Sequence, residues 1–436
     1  MNPQGLLPHQ QTHAAELRKF LTANGAALDA SDTGVGKTFI ALWVARELGV
    51  VPLVICPKSV RVDWEKAAAI IGVEIEVVNY ERVRGARRRG KLAMSEWGKE
   101  VAVGKGSKWV WHEPYTLIIF DEVDRCGAMV GLNSKLLIAA RRQCPYILAL
   151  SATAADDPRQ LKALGYALRL FDTSQYKWWL LAHGCVPGIF GGFVFPRDSP
   201  KAKIAMQKIH QKIFGEGRRV RLRREDIPGF PRTLLDIKLI HDDSGKAQGH
   251  CLDLEAAYRE GQVLAAIIEA RQALELLKVP YLLEMAEHYA QTSRVVVFVN
   301  YSATILALQE GFKALFETPA PSIDGSNTQD EREEIKRAFQ AGELPALVCN
   351  VAAGGLGIGL HDPQGIAECT TLISPCYSSR QIRQVHGRVQ RQGGAFSRQY
   401  LVYFADTLEE QIAAAVKSKL ANLDTLNDGI LNGVLK

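Results

Sequence analysis

Short runs of β-branched and other apolar residues alternate along the chain with longer segments whose apolar residues recur every three or four positions. One set of runs begins near residues 26, 53, 117 and 147, and a second set begins near 294, 346, 371 and 400. Strands that alternate with helical segments are typical of a mostly parallel sheet covered by helices on both faces. The pattern therefore predicts an α/β fold with two such domains.

The segment between the two sets has a different pattern. Residues 180–192 are rich in glycine and aromatic residues, 201–214 have the spacing of a basic amphipathic helix, and 254–290 are largely helical in pattern. At 436 residues the chain is too long for one ordinary core. We expect three parts: a first α/β domain at 1–171, a helical insertion and linker at 172–290, and a second α/β domain at 291–436.

A glycine-rich stretch, Ser31 to Thr38 (S-D-T-G-V-G-K-T), follows the first apolar run and precedes a helical pattern. Its glycines allow backbone N–H groups to face an anion, its lysine supplies a mobile charge for terminal phosphates, and its last hydroxyl can bind magnesium. The positive end of the following helix faces the same phosphates. The residues expected to bind a nucleoside triphosphate are Asp32, Thr33, Gly34, Val35, Gly36, Lys37 and Thr38, with Thr38 also a ligand of Mg²⁺.

An acidic segment, Asp121 to Asp124 (D-E-V-D), directly follows the apolar run at 117–120. A carboxylate at the end of a strand can hold magnesium, and a neighbouring carboxylate can accept a proton from the attacking water. We therefore expect Asp121 to be a metal ligand and Glu122 to be the base. The S-A-T segment at 151–153 also ends a strand, and its hydroxyls can bond such carboxylates.

The segment 384–393 (Q-V-H-G-R-V-Q-R-Q-G) lies in the second domain. If it is helical, Gln384, Arg388 and Arg391 share one face and can reach a nucleotide held by the other domain. The planar fork of arginine engages γ-phosphate oxygens and stabilises the charge that develops during phosphoryl transfer. Gln384 is a predicted nucleotide contact, and the predicted catalytic residues are Lys37, Asp121, Glu122, Arg388 and Arg391.

These segments, taken in order with Leu7-Pro8-His9-Gln10, resemble the motor of superfamily 2 helicases. Finer features resemble the Swi/Snf-like branch, whose members move along double-stranded DNA, and they lie at 53–64, 79–81, 209–228, 325–339, 353–360 and 406–412. The resemblance covers nearly the whole chain. It implies two RecA-like domains, each a mostly parallel sheet flanked by helices, with a helical insertion between them. It also implies an ATP-dependent DNA translocase with ATP and Mg²⁺ as cofactors and with duplex DNA favoured over single-stranded DNA or RNA.

The resemblance implies roles for further residues. Gln10 is expected to recognise adenine, because an amide offers a donor and an acceptor together. Gly357 is an expected nucleotide contact. The expected nucleic-acid contacts are Lys58, Ser59, Tyr80, Asn300, Tyr301, Gly354 and Gly355. Trp178 and Trp179, in contrast, are expected to pack within the insertion rather than to stack on bases.

Four positions depart from the pattern of the Swi/Snf-like branch. Asp124 stands where histidine is usual, Ala352 and Gly359 stand where arginine or lysine and asparagine are common, and Gly387 stands where aspartate is usual. These departures keep two alternative functions open. One is a strand-separating or fork-remodelling DNA helicase, and the other is a nucleotide-gated DNA-binding subunit, with weak hydrolysis, of a larger replication, repair or restriction assembly. An RNA helicase is less favoured, because a minimal RNA enzyme does not need the helical insertion.

Composition adds little to this interpretation. The formal net charge of +6 permits a polyanionic partner without requiring one. A basic tract at 82–91, followed by Trp97, Trp109 and Trp111, is compatible either with DNA contact or with a solvated insertion. The eight cysteines form no C-x-x-C pair, so buried free thiols are expected.

No apolar run is long enough to span a bilayer, and the N-terminus lacks the pattern of a signal peptide. No membrane partner is therefore expected. The expected location is the cytoplasm, in association with the nucleoid, and the small size beyond the motor is compatible with a phage protein.

Overall fold

In the computed structural model of the chain, the described residues are 6–86, 92–104, 106–189, 191–197, 199–215, 217–259, 263–317, 320–354, 359–362, 364–365, 367–376, 378–391 and 393–428. The predictions for Gly355 and Gly357, and half of the basic tract (87–91), fall outside these residues. The chain divides into a first unit, Met1–Ile227 with Ser418–Val434, and a second unit, Pro228–Lys417. The predicted boundaries at residues 171 and 290, between the two α/β domains and the helical insertion, stay predictions.

The first unit holds ten strands and eight helices among the described residues. The strands are β1 (Ala26–Asp29), β2 (Leu53–Cys56), β3 (Glu76–Asn79), β4 (Gly98–Val103), β5 (Gly106–Trp111), β6 (Leu117–Asp121), β7 (Tyr146–Leu150), β8 (Val186–Pro187), β9 (Phe193–Val194) and β10 (Arg219–Val220). The helices are α1 (Pro8–Asn24), α2 (Lys37–Leu48), α3 (Arg61–Ile71), α4 (Tyr80–Arg84), α5 (Leu132–Gln143), α6 (Lys162–Ala167), α7 (Tyr176–Ala182) and α8 (Pro200–Phe214).

The six-stranded sheet of the first unit is parallel throughout, with the strand order β10-β1-β7-β6-β2-β3. Its central strands are apolar and buried on both faces, as is typical of a parallel sheet between two layers of helices. Asp29 at the end of β1 and Asp121 at the end of β6 both pair with Leu150 of β7. The register therefore brings the start of the glycine-rich loop and the acidic segment to one edge of the sheet.

An antiparallel hairpin of β4 and β5 stands apart from this sheet. Trp97, Trp109 and Trp111 are buried in the hydrophobic core of the first unit. Because a base can stack only on an exposed ring, these three tryptophans are packing residues and not contacts for nucleic acid.

The second unit continues the chain with six strands and helices α9 to α16. The strands are β11 (Thr233–Ile240), β12 (Arg294–Val299), β13 (Ser322–Ile323), β14 (Ala346–Asn350), β15 (Cys369–Ile373) and β16 (Ser397–Phe404). The helices are α9 (Lys246–Arg259), α10 (Val263–Leu277), α11 (Val279–Ala290), α12 (Ser302–Phe316), α13 (Gln329–Ala341), α14 (Val351–Gly354), α15 (Ser379–His386) and α16 (Leu408–Asp428), whose residues from 418 onward are assigned to the first unit.

The sheet of the second unit is also parallel throughout, with the strand order β11-β16-β15-β12-β14-β13. Its core joins apolar residues of the central strands to those of α11 and α12, among them Val297, Phe312 and Leu372. Two six-stranded parallel sheets flanked by helices form two RecA-like domains. The predicted α/β fold class is confirmed.

One buried ion pair crosses the second unit. The Nζ atom of Lys278, a fully buried side chain, lies 2.5 Å from Glu409 Oε1 and 2.7 Å from Ser374 Oγ. Glu409 also accepts a hydrogen bond from the backbone N–H of Phe404 at 3.1 Å. Each charged group is therefore the counter-ion of the other and forms a further hydrogen bond with a protein group.

We expect Lys278→Ala to lower the free energy of unfolding of the second unit by about 3–5 kcal/mol, because it leaves the Glu409 carboxylate buried without its counter-ion. Urea unfolding measures this difference. The matched control is Arg337→Ala, which removes one partner of an exposed ion pair with Glu343 at 3.5 Å in the same unit. The control should change the free energy of unfolding by less than about 0.5 kcal/mol. Equal effects of the two substitutions would contradict this account.

The eight cysteines carry free thiols, and seven of them are buried. Burial raises the pKa of Cys144 to about 11 and, together with Asp157, that of Cys185 to about 12. These thiols therefore stay protonated at neutral pH. Within the described part of the chain, no helix combines the length and the apolar character that crossing a membrane requires.

Candidate functional site

The glycine-rich loop connects the end of β1 to the start of α2. Gly34 and Gly36 have φ values of 85° and 94°, in the left-handed region that favours glycine. A Cβ atom on Gly36 would also collide with the side-chain amide of Gln10. Glycine at position 36 is therefore favoured by the left-handed backbone conformation, and a side chain there would displace the Gln10 amide from the loop.

Lys37 begins α2, and its ammonium group is held by the loop itself. Its Nζ atom donates hydrogen bonds to the backbone carbonyls of Ser31 and Asp32, both at 2.9 Å. Burial lowers the pKa of Lys37, and nearby carboxylates, led by Asp29 and Glu122, offset this only in part. Because an anion favours the charged form of a neighbouring amine, the loop is electrostatically suited to a phosphate.

Two residues that the motifs do not include support the loop. Asp29 is fully buried and accepts a hydrogen bond from the backbone N–H of Ser31 at 2.9 Å, and His13 Nε2 lies 3.1 Å from Ser31 Oγ. Burial alone would raise the pKa of Asp29, but the hydrogen bond and charge of His13, and then the charge of Lys37, lower it overall. His13 follows Gln10 by three residues, and this helical spacing was the signal in the sequence that could have found it.

Gln10 lies beside the loop and is 4% exposed. Its Nε2 atom donates to the carbonyl of Val35 at 2.9 Å, and its Oε1 atom accepts from the backbone N–H of Leu7 at 2.9 Å. The amide therefore joins the first turn of α1 to the loop. Recognition of adenine by Gln10 stays a prediction, and beyond these two bonds the amide has a second N–H donor and a second oxygen lone pair for it.

A basic segment after β10 holds the other side of the loop. Arg221 donates to the carbonyl of Ala30 at 2.7 Å and lies 3.3 Å from Asp32 Oδ1. The guanidinium of Arg224 donates to the carbonyl of Thr33 at 3.0 Å and also to the Thr33 hydroxyl. Sequence reasoning missed this clamp because its partners are 191 positions apart.

We expect Arg224→Ala to raise the KM for ATP about 10-fold or more, because the loss of a charged hydrogen-bond donor, worth about 1.5–3 kcal/mol, loosens the loop before the nucleotide binds. Steady-state ATPase kinetics measure this change. The matched control is Arg223→Ala, since Arg223 pairs instead with Asp226 at 2.9 Å. If both variants gave the same KM, the clamp would have no role in nucleotide binding.

Asp121 lies at the end of β6 and is held in place by three hydrogen bonds. Its Oδ2 atom accepts from the indole N–H of Trp64 at 2.9 Å, and its Oδ1 atom accepts from the backbone N–H of Glu122 at 3.0 Å. Its backbone carbonyl accepts from the hydroxyl of Tyr80 at 2.8 Å. The carboxylate is therefore oriented before any ligand binds.

The electrostatics of Asp121 fit a divalent cation. Its pKa is raised to about 6, first by burial and then by the charge of Glu122. A cation would offset the repulsion between these two carboxylates. Mg²⁺ usually binds one or two protein oxygens together with phosphate oxygens, so Asp121 and the hydroxyl of Thr38 in the first turn of α2 fit this ion. The part of the chain that the structure describes holds no cluster of three or more acidic, histidine or cysteine ligands.

Glu122 has an unusual backbone conformation. Its φ of 51° and ψ of 56° place it in the left-handed region, which residues other than glycine rarely adopt. Such strained residues cluster at active sites, because the surrounding structure must hold them. The conformation supports a functional role for Glu122.

The S-A-T segment reaches the acidic segment through one hydrogen bond. Ser151 Oγ donates to Asp124 Oδ1 at 3.1 Å, and the backbone N–H of Thr153 donates to Ser151 Oγ at 3.0 Å. A link between these hydroxyls and a carboxylate was predicted, and its carboxylate partner in the structure is Asp124.

The predicted arginines of the second unit lie just beyond α15. This helix ends at His386, and Gly387 caps it, so Arg388 and Arg391 do not extend one helical face from Gln384. Glycine is a poor helix former and commonly ends helices, which explains the stop. Gln384 and Arg388 are buried and Arg391 is half-buried. Their predicted roles at the nucleotide stay predictions.

The predicted nucleic-acid contacts of the first unit have different exposures. Lys58 is exposed and Ser59 is half-buried, in a short turn after β2. Tyr80 is fully buried and bonded to Asp121. Its position favours support of the acidic strand end, while its predicted contact with nucleic acid stays untested.

The predicted contacts of the second unit follow β12. The buried carboxylate of Glu275 accepts the backbone N–H of Asn300 at 2.9 Å, its side-chain amide at 2.6 Å and the backbone N–H of Tyr301 at 3.0 Å. Asn350 at the end of β14 donates to the carbonyl of Asn300 at 3.0 Å. Gly354 ends α14.

Asn350 also lines a groove of about 710 Å³ in the second unit. Residues of α12, α13, α14 and the turn after β13 form the rest of the groove, including Ser302, Asp324, Ser326 and Arg332. The groove lies at the carboxyl ends of three neighbouring strands, the edge at which ligands usually bind in parallel sheets. Ser302, Asp324 and Asn350 were not among the predicted contacts.

Comparison with known proteins supports the resemblance drawn from the motifs. The profile of the helicase conserved C-terminal domain matches residues 277–393. A protein of Acanthamoeba polyphaga mimivirus, with the provisional name ATP-dependent RNA helicase L364, is 29% identical over 98% of this chain and 84% of its own length.

Two further proteins are similar over most of this chain. The Bacillus subtilis (strain 168) protein with the provisional name ATP-dependent helicase/translocase YwqA is 22% identical over 98% of this chain, which spans 49% of that protein. A solved structure, the Sulfolobus solfataricus SWI2/SNF2 ATPase core in complex with dsDNA, covers 97% of this chain and 93% of its own with 16% identity and a TM-score of 0.38. The fold assignment depends on the two sheet topologies and not on this score.

Proposed function

We propose that this chain is a motor of the superfamily 2 helicases, and that it is a DNA-dependent ATPase that moves along double-stranded DNA. Its helicase C-terminal domain, its two helicase-named relatives and its Swi/Snf-like set of motifs support this proposal. The observation that carries the ATPase part is the meeting of Lys37, Asp121 and Glu122 at one edge of the first sheet. The duplex preference comes from the Swi/Snf-like segments at 53–64 and 209–228.

In the proposed reaction, the ammonium group of Lys37 exchanges its loop carbonyls for phosphate oxygens of ATP. Glu122 accepts a proton from the attacking water. Asp121 and Thr38 would hold a magnesium ion, which would supply positive charge to offset that of the phosphates. Arg388 and Arg391, which belong to the second unit, stabilise the negative charge of the transferred phosphoryl group during turnover.

In the proposed motor cycle, binding and release of the nucleotide alternately close and open the two units. Each unit holds the phosphate backbone through its own residues. Lys58 is the exposed candidate in the first unit, and the groove beside Asn350 is the candidate in the second. If the two units bind and release the phosphate backbone in turn, the protein moves along the strand.

A triplex-displacement assay tests movement along duplex DNA. We expect ATP-dependent release of a third strand from a duplex without separation of the duplex strands. Release of a duplex strand instead would favour the rival function, a strand-separating or fork-remodelling helicase. Gly387 supports that rival, because aspartate is usual at this position in the Swi/Snf-like branch.

The name of the mimivirus relative supports a second candidate, an RNA helicase. The third candidate, a nucleotide-gated subunit with weak hydrolysis, is favoured by the departures at Asp124, Ala352 and Gly359. ATPase rates with different nucleic acids separate these candidates from the duplex motor.

A further inference from the structure

Helix α7, the β8–β9 hairpin and helix α8 carry a concentration of positive charge that the nucleotide-binding motifs do not use. Residues 176–214, here called the insertion surface, hold six basic residues and one acidic residue, Asp198, which lies outside the described residues. Arg197 pairs with Asp157 at 2.9 Å. Among the described residues, no ion pair involves the five lysines: Lys177, Lys201, Lys203, Lys208 and Lys212. The surface therefore suits an anionic partner.

Two of these lysines line a pocket between α7 and α8. The pocket has a volume of about 400 Å³ and is lined by Ala182, His183, Lys208, Gln211 and Lys212. His183 is 5% exposed, and its Nδ1 atom lies 2.7 Å from the carbonyl of Trp179. Burial lowers the pKa of His183, the Trp179 carbonyl raises it, and Lys212 and Lys208 lower it further. The mouth of the pocket thus carries positive potential from two ammonium groups.

An exposed indole lies one helical turn from the pocket. Trp178 is 70% exposed, whereas the other six tryptophans of the chain are at most 8% exposed. Trp178 precedes Ala182 by four residues in α7, so the two share one face of that helix. The expectation that Trp178 packs within the insertion is wrong. Its neighbour Trp179 fulfils that role, since it stacks with His183 at 4.3 Å between ring centroids.

Helix α8 carries the two lysines of the pocket on one face. Lys208 and Lys212 are four residues apart and therefore lie on one face, and Ile204, four residues before Lys208, adds an apolar side chain that is 51% exposed to this face. Lys203 lies on a different face, because it is nine residues from Lys212 and so about half a turn away. This face of α8 thus carries one exposed apolar side chain and two cationic groups.

We propose that the insertion surface binds single-stranded nucleic acid, with Trp178 stacked on a base and with Lys208 and Lys212 bound to backbone phosphates. Single strands are held in this way in general, by an aromatic platform beside a cationic groove. An acidic peptide would pair with the lysines, but it would have no flat π-face for the indole. This site lies outside the nucleotide-binding motifs, and it shares only Gln211 and Lys212 with the Swi/Snf-like segment at 209–228. It does not depend on which nucleic acid drives ATP hydrolysis.

Intrinsic tryptophan fluorescence tests the site in the full chain without nucleotide. Because Trp178 is the one tryptophan with substantial exposure, binding of (dT)₁₂ or (rU)₁₂ should quench the emission of the wild-type protein and leave that of Trp178→Ala unchanged. The two oligonucleotides show whether DNA or RNA is preferred. Anisotropy of a labelled (dT)₁₂ should show affinity about 5-fold or more lower for Trp178→Ala, and largely restored in Trp178→Phe.

The salt dependence of binding tests the lysines. Lys208→Gln combined with Lys212→Gln should reduce the slope of log K against log salt by about 1.4, since each phosphate contact on a single strand contributes about 0.7. The matched control is Lys203→Gln, which removes one charge from another face of α8 and should leave the quenching unchanged. Absence of quenching by either oligonucleotide, an unchanged slope in the double variant, or equal quenching by a poly-glutamate peptide would overturn the proposal.

Discussion

Lys37→Ala should lower kcat/KM for ATP by about 10³-fold or more, which corresponds to about 4 kcal/mol of transition-state stabilisation. Lys37 is the ammonium group that the loop holds through the carbonyls of Ser31 and Asp32, ready for exchange with phosphate oxygens. Its loss removes the mobile charge of the loop and leaves the carboxylates Asp29, Asp121 and Glu122 without their central cation. Nucleic-acid binding without nucleotide should persist, because the loop is not among the proposed nucleic-acid contacts.

Steady-state ATPase assays and a DNA-binding titration on the same preparation measure both parts of this result. The matched control is Lys19→Ala, which removes an exposed lysine of α1 in the same unit and should change neither quantity. Persisting ATPase activity in Lys37→Ala would rule out the assigned nucleotide site.

Glu122→Gln should retain ATP binding but lower kcat by about 10²- to 10⁴-fold, the range for loss of a general base. The amide keeps the size of the side chain, so the left-handed backbone at this position is preserved. It cannot accept a proton from the attacking water. The charge that raises the pKa of Asp121 also disappears, so the metal-binding carboxylate remains ionised.

Single-turnover hydrolysis separates this loss of chemistry from a loss of binding, which a fluorescent ATP analogue reports directly. Glu113→Gln is the control, since Glu113 is an exposed carboxylate of the same unit. If Glu122→Gln hydrolysed ATP at the wild-type rate, another group would have to be the base.

The sequence predicted the fold and the loop well because both depend on local pattern. Apolar runs such as 117–120 are buried strands on both faces, and the order of strand, loop and helix around Lys37 is a property of one short segment. The comparisons also support the predicted resemblance to the superfamily 2 helicases.

Features that depend on tertiary packing could not be predicted in the same way. The clamp of Arg224 on Thr33 joins residues 191 positions apart, and nothing in either segment identifies the other. Trp178 and Trp179 are neighbours with the same side chain, yet only the packing of α7 decides which one is buried. The spacing of Gln384, Arg388 and Arg391 predicted one continuous helix, but Gly387 ends α15 at His386, because glycine is a poor helix former.

We infer that the chain is an ATPase driven by duplex DNA. Steady-state ATPase rates of the purified chain with duplex, single-stranded and forked DNA, and with RNA, test it most directly. We predict that duplex DNA stimulates hydrolysis well above the rate without nucleic acid, and more than single-stranded DNA or RNA does. A higher rate with RNA than with duplex DNA, or no stimulation by any nucleic acid, would contradict the claim.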